Sequence, residues 1–187
     1  MTMTNDEFFA LAERSVWRLE TLPQYNPHTD QALAAWQRTG KLLPLSQRPG
    51  KQAWMAAVRQ AVAAGKQVGR VRIRRQGGDG GPWSYAAYEL ACYPENAAAG
   101  EEIRVAELGA HPELAELDRD FWLMDEGLAL VMDYDHDGQF QAMTPTRDPA
   151  ILARCLAQRD LAVAWSVPLV EYLAAAADAS TGGRRPG

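Results

Sequence analysis

Asp120-Phe-Trp-Leu-Met-Asp-Glu-Gly-Leu-Ala-Leu-Val-Met-Asp-Tyr-Asp-His-Asp-Gly-Gln-Phe-Gln-Ala-Met143 carries the strongest folding signal in the chain. Phe121–Met124 and Leu128–Tyr134 are apolar runs of strand length joined at Glu126-Gly127. Asp137-Gly138 then turns the chain back into Gln139–Met143, because Asp and Gly tolerate the backbone that a tight hairpin demands. The stretch reads as an antiparallel meander. Its 24 residues also hold six carboxylates, which makes it the first place to look for an acidic rim, a cation site or an active site.

Upstream, the pattern changes from period two to period 3.6. Lys51–Ala64 places Trp54, Val58, Ala61 and Val62 on one helical face, and Gly65 closes it. Val68–Arg75 follows as a strand with Arg70, Arg72 and Arg74 on one face and Val71 and Ile73 on the other. Pro82 opens a helix over Trp83–Tyr93, and Glu102–Glu107 is the next strand. Strand, helix, strand in this order predicts a parallel pair joined by a crossover helix. Nearer the N-terminus, Asn5 is the expected cap of a short helix that precedes a strand at Val16–Glu20. A helix follows from Thr29 or Asp30 to Gly40. His111–Leu117 predicts one or two helical turns. Asp148-Pro149 starts a helix running to about Trp165, restarted at Pro168 and ending near Ala177. The expected fold is therefore α/β of the mixed α+β kind, a central parallel and antiparallel sheet flanked by helices. It forms one domain over residues 1–179, with a disordered polar tail at 180–187.

With 187 residues, 47% hydrophobic and 23% charged, the composition is that of an ordinary globular domain. No apolar run reaches the roughly 18–20 residues of a membrane span, and the first residues lack the features of a signal peptide. Cys92 and Cys155 stand alone, as reduced thiols of a cytoplasmic protein would. The net charge of −5 conceals a bipolar chain. Residues 51–75 carry seven bases and no acid, and residues 76–143 carry fifteen acids against two bases. Pairing of these halves within the fold explains the pattern better than a nucleic-acid surface, which a pI near 5.2 argues against.

The candidate chemistry is incomplete at each place it is sought. Asp133, Asp135, Asp137 and Gly138 match the opening of a calcium-binding EF-hand loop, but its closing position holds Thr144 instead of Glu. His28, His111 and His136 have no zinc spacing. Gln76–Gly81 is glycine-rich between a strand and a helix, yet lacks the Lys and Ser/Thr of a P-loop. No Gly-x-Ser-x-Gly elbow occurs. No cofactor is expected. The cationic face Arg70, Arg72 and Arg74, with Trp83 beyond it, is assigned to internal pairing or to a protein partner. Nucleic-acid contact through Arg70–Arg75 is an alternative.

Four blocks carry a resemblance: Phe8–Leu19 with Glu20-Thr21, Val71–Arg74, Asn96–Arg104 and Asp120–Asp125. Together they resemble an actinobacterial domain family of unassigned function, over about residues 5–168. Members of that family commonly lie beside, or are fused to, helix-turn-helix regulators. The resemblance implies an accessory regulatory role in the cytoplasm and a helix-turn-helix regulator as protein partner. A weaker likeness is to half of a phospholipase D-like fold. On that alignment Asp118 and Asp120 replace the motif's His and Lys, and Asp125 takes the place of its Asp. Two carboxylates there would repel phosphate, so the chemistry would be lost while the fold persisted.

The leading expectation is a non-catalytic regulatory or interaction domain. The alternative is an enzyme or small-molecule sensor in which Asp118, Asp120, Asp125 and Arg104 share an acidic cleft and a raised carboxyl pKa supplies acid–base chemistry.

Overall fold

The computed structural model describes residues 3–25, 31–75 and 83–182. Three strands form its parallel centre: β1 (Ser15–Glu20), β2 (Gln67–Arg74) and β3 (Glu102–Glu107). β4 (Phe121–Met124), β5 (Leu128–Tyr134) and β6 (Phe140–Thr146) extend the sheet antiparallel from β1, as the meander predicts. A two-residue strand, β7 (Val167–Pro168), pairs antiparallel with the outer side of β3. The order across the seven-stranded sheet is β6-β5-β4-β1-β2-β3-β7. The mixed α/β class read from the sequence is the one observed.

Six α-helices accompany the sheet among the described residues: α1 (Asn5–Phe9), α2 (Gln31–Thr39), α3 (Pro49–Ala63), α4 (Tyr85–Ala98), α5 (Pro149–Ala164) and α6 (Leu169–Gly182). One sheet face buries Leu19, Val71, Ile73, Phe121, Leu123 and Val131 with Cys155 and Ala162 of α5. On the other face, Val16, Val68, Trp122 and Leu130 pack with Phe8 and Phe9 of α1 and with Val58 and Ala61 of α3. Ile103 and Val105 of the same face lie with Tyr93 of α4 and Leu169 of α6. The two-residue periodicity of each strand sets these faces.

Several boundaries differ from the sequence reading, each for a local reason. Thr4, not Asn5, caps α1, because its hydroxyl and the Glu7 carboxylate close a reciprocal capping box. α4 begins at Tyr85 behind the Ser84 cap and continues through Pro94 to Ala98. Tyr93 and Asn96, buried on either side of the proline, hold that last stretch against the sheet. The turns near His111 are a 3₁₀ segment at Pro112–Glu116. Pro168 stands in the two-residue β7, the helix restarts directly behind it as α6 at Leu169, and α6 runs past the expected end at Ala177 to Gly182. The expected cap at Thr29 or Asp30, the glycine-rich Gln76–Gly81 with Pro82, and the last five residues of the expected tail lie outside the described residues.

Candidate functional site

On the face that carries α3 and α4, the strands change character along their length. Val16 and Val68 at the amino ends of β1 and β2 are apolar. Further along, Arg18 and Glu20 alternate inward on β1, directly opposite Arg70 and Arg72 on β2. Four charged side chains thus occupy neighbouring inward positions at the carboxyl end of the parallel strands, where open α/β sheets commonly place ligands.

Burial of that many charges is tolerated only if each is matched. Arg70 donates through Nε to Glu101 at 2.6 Å and through Nη1 to both oxygens of Glu20 at 3.1 and 3.2 Å. Arg72, only 2% exposed, donates through Nε to Glu89 at 3.0 Å and through its terminal nitrogens to the carbonyl oxygens of Leu22 and Pro23. Glu20 also accepts from the Tyr93 hydroxyl at 3.2 Å. Burial alone would push the Glu20 carboxyl up; Arg18, Arg70 and Arg72 outweigh it and hold the pKa at about 2, below the ordinary 4.5. Burial pushes Glu89 up, assisted by Glu20 and opposed by Arg72.

A pocket of about 350 Å³ opens beside this network, lined by Arg18 and Glu20, by Tyr25 from the loop after β1, by Tyr85 of α4, and by Met132, Tyr134 and Gly138–Phe140 of the β5–β6 hairpin. Ring centroids step along it at 6.3 Å from Tyr85 to Tyr25, 5.4 Å from Tyr25 to Tyr134 and 6.0 Å from Tyr134 to Phe140. The guanidinium groups of Arg18 and Arg72 lie 5.6 and 5.2 Å from the Tyr25 ring centroid. Burial raises the phenol pKa of Tyr25, Tyr85 and Tyr134, with nearby carboxylates adding to it. Every ionisable side chain lining the pocket therefore keeps one protonation state through neutrality: Glu20 and Arg18 charged, the three phenols protonated.

The sequence-predicted acidic cleft does not form. Asp118 accepts from Arg154 and Gln158 of α5, at 2.6 and 2.8 Å. Asp120 is 2% exposed and accepts from the backbone N–H and hydroxyl of Thr21, each at 2.8 Å, and from the Tyr25 hydroxyl. Asp125, beyond the opposite end of β4, accepts from the backbone N–H groups of Glu13, Arg14 and Ser15. Arg104 donates to the Ser166 hydroxyl and carbonyl at 2.9 and 2.6 Å, joining β3 to the segment before β7. Each of the four fastens a different junction; the side-chain alternation of β3 and the length of β4 keep them apart.

The cationic strand face is also not a surface. Arg70 and Arg72 are interior, and Arg74 reaches the Tyr172 hydroxyl at 2.6 Å with Glu107 at 4.0 Å. Trp83, in contrast, is 52% exposed and packs edge-on to Trp36 at 5.9 Å. In the hairpin, Asp135 accepts from the backbone of Asp137 and Gln139 at 3.0 and 2.9 Å, which is turn chemistry. Asp133 and Asp137 are exposed, and among the described residues no three His, Cys, Asp or Glu side chains are grouped to hold a metal ion.

Sequence reasoning passed over the lining residues Arg18, Glu20, Tyr25, Tyr134 and Phe140. One signal was available: β1 alternates Val16, Arg18, Glu20 on the face that its first residue makes apolar. A family model matches residues 3–174 of the chain, nearly the whole of the fold described above. The chain belongs to DUF6879, a domain family of unknown function. The matched span of this DUF6879 domain includes the whole sheet, the buried charge network and the pocket. No curated protein matches it.

Proposed function

We propose that the domain is a non-catalytic regulatory module that receives a small organic molecule in the pocket between β1, α4 and the β5–β6 hairpin. The pocket itself carries the reading. It has the volume of a small-molecule site, lies at the carboxyl ends of parallel strands, and combines aromatic walls with a few fixed polar groups. Acid–base catalysis calls for a group that exchanges a proton near the working pH. Glu20 held at about 2 and three phenols pushed upward do not supply one, which favours binding over turnover.

The same reading takes the partner to be a helix-turn-helix regulator of an actinobacterial cell, supported by the four sequence blocks. It takes the compartment to be the cytoplasm, supported by two buried, unpaired thiols at Cys92 and Cys155. A phospholipase D-like ancestry is kept as a reading of fold alone, since Asp118 and Asp120 are committed to α5 and to the Thr21–Tyr25 loop.

Screening the purified protein against a metabolite library by ligand-observed NMR tests the binding function. Saturable binding that raises the melting temperature, and that Phe140→Ala weakens by about tenfold, is the expected result. Absence of any saturable binder, or binding indifferent to Phe140→Ala and to Tyr134→Ala alike, would remove the proposal.

A further inference from the structure

The hydrogen-bonding state of the lining residues defines what the pocket selects. The carboxylate that lines it, Glu20, and the neighbouring Asp120 are both filled. Glu20 is shared by Arg70 and Tyr93, and Asp120 accepts from Thr21 twice and from Tyr25. A cationic ligand would find little acceptor capacity there. The guanidinium groups behind the pocket are filled as well, Arg70 by two glutamates and Arg72 by Glu89 and two carbonyl oxygens.

Arg18 is different. Its Nη1 lies 3.2 Å from Glu20, its Nη2 4.0 Å from Asp120, and the guanidinium also reaches the Tyr134 hydroxyl as a donor. Its Nε is buried with no partner at all. The side chain keeps 16% of its surface, and it lines the pocket. Five N–H donors in a rigid fork suit a planar acceptor such as a carboxylate or carbonyl. Close by, the Tyr134 hydroxyl has only the Met132 thioether as acceptor, at 3.6 Å, a weak partner that an oxygen would displace. The two groups with unused donor capacity therefore stand together, next to the aromatic walls.

Building on the binding function above, we propose that the ligand is a planar, ring-bearing molecule that places an acceptor oxygen of a carboxylate or carbonyl on Arg18 and the Tyr134 hydroxyl. Its ring lies along Tyr25, Tyr134 and Phe140. Donor-bearing cations are selected against, because the carboxylates they would need are already occupied.

Three probes sharing one ring system test this: 2-naphthoate, 2-naphthamide and 2-naphthylmethylamine, titrated into the full chain with binding followed by ligand-observed NMR. The expected result is that at least one oxygen-bearing probe binds about tenfold more tightly than the amine, as a charge-assisted hydrogen bond predicts. Naphthoate ahead of naphthamide identifies a charged acceptor; the reverse identifies a neutral carbonyl. Arg18→Lys keeps the charge beside Glu20 and removes the fork, so it collapses the preference of the oxygen-bearing probes over the amine. Should that variant not fold, Tyr134→Phe removes one hydroxyl from a half-exposed position and weakens the oxygen probes by about fivefold. Equal binding of all three probes, or a preference for the amine, overturns the acceptor assignment and leaves the pocket standing as a binding site. Failure of all three probes, together with an empty metabolite screen, overturns both.

Discussion

Glu20 and Arg72 set the character of the molecule at the level of single residues. Glu20 serves Arg70 and Tyr93 and stands beside Arg18, so Glu20→Gln leaves buried cations short of a counter-charge. Stripping one partner from a buried ion network costs about 3–5 kcal/mol, which a urea denaturation curve will register as a lower midpoint. Because the folded-state pKa lies at about 2 against an ordinary 4.5, the stability that Glu20 contributes is present above the ordinary value and is lost as pH falls through the window between them. Wild-type protein monitored by circular dichroism should therefore lose stability between pH 4.5 and 2, and the Gln variant should lack that component. Arg72→Met is expected to destabilise the fold by a similar amount, about 3 kcal/mol or more. An Arg72 variant that kept full stability would show that the network is not the internal framework described here. The placement also changes how nucleic-acid binding must be tested: loss of a gel shift in Arg72→Glu would report unfolding of an interior residue, whereas exposed Arg75 can be changed without that confusion.

At the scale of elements, two connections carry more than their length suggests. The turn between β4 and β5 places Asp125 and Glu126 in left-handed backbone, φ +50° and +61°, which non-glycine residues adopt only at a cost. Asp125 offsets that cost by accepting three backbone N–H groups of residues 13–15, tying the turn to the start of β1. Asp125→Ala keeps the strained backbone and removes the tie; a loss of about 1–3 kcal/mol is expected, with earlier amide exchange in residues 13–16 than elsewhere in the sheet. Gly40, just past α2, has φ +65°, and a Cβ built there would fall 2.0 Å from the Trp83 ring. Gly40→Ala should cost about 1–2 kcal/mol for the backbone alone and displace Trp83 from Trp36, read as a change in tryptophan fluorescence. Both elements were partly legible beforehand. The hairpin at Asp137-Gly138 and every strand from β3 to β5 follow from alternation and turn chemistry. The approach of Trp83 to Gly40 joins residues 43 positions apart and leaves no mark in either local sequence.

Across the whole molecule, the bipolar charge distribution resolves into internal pairing. The basic stretch around Arg70–Arg74 meets Glu89, Glu101 and Glu107 from the acidic third of the chain. Buried pairs are screened far less than surface ones, so 1 M sodium chloride should not lower the melting temperature; a large drop would place these charges in solvent. The fold class, the meander and the segregation of basic from acidic segments were determined by the sequence, because strand alternation, helical period and turn residues act over a few neighbours. Which carboxylates act together was decided only by the tertiary structure. Asp118, Asp120 and Asp125 are close in sequence, yet β4 and its neighbours direct them to three different junctions. Arg18, Tyr85 and Tyr134 are far apart in sequence and meet because parallel pairing of β1 with β2, and the return of the β5–β6 hairpin, bring their strand and helix ends to one edge of the sheet. Strand register couples residues over distances that no local pattern records. For that reason the stretch from Asp120 to Met143 announced the architecture, while its role as one wall of a pocket emerged only when Tyr25 and Tyr85 closed against it.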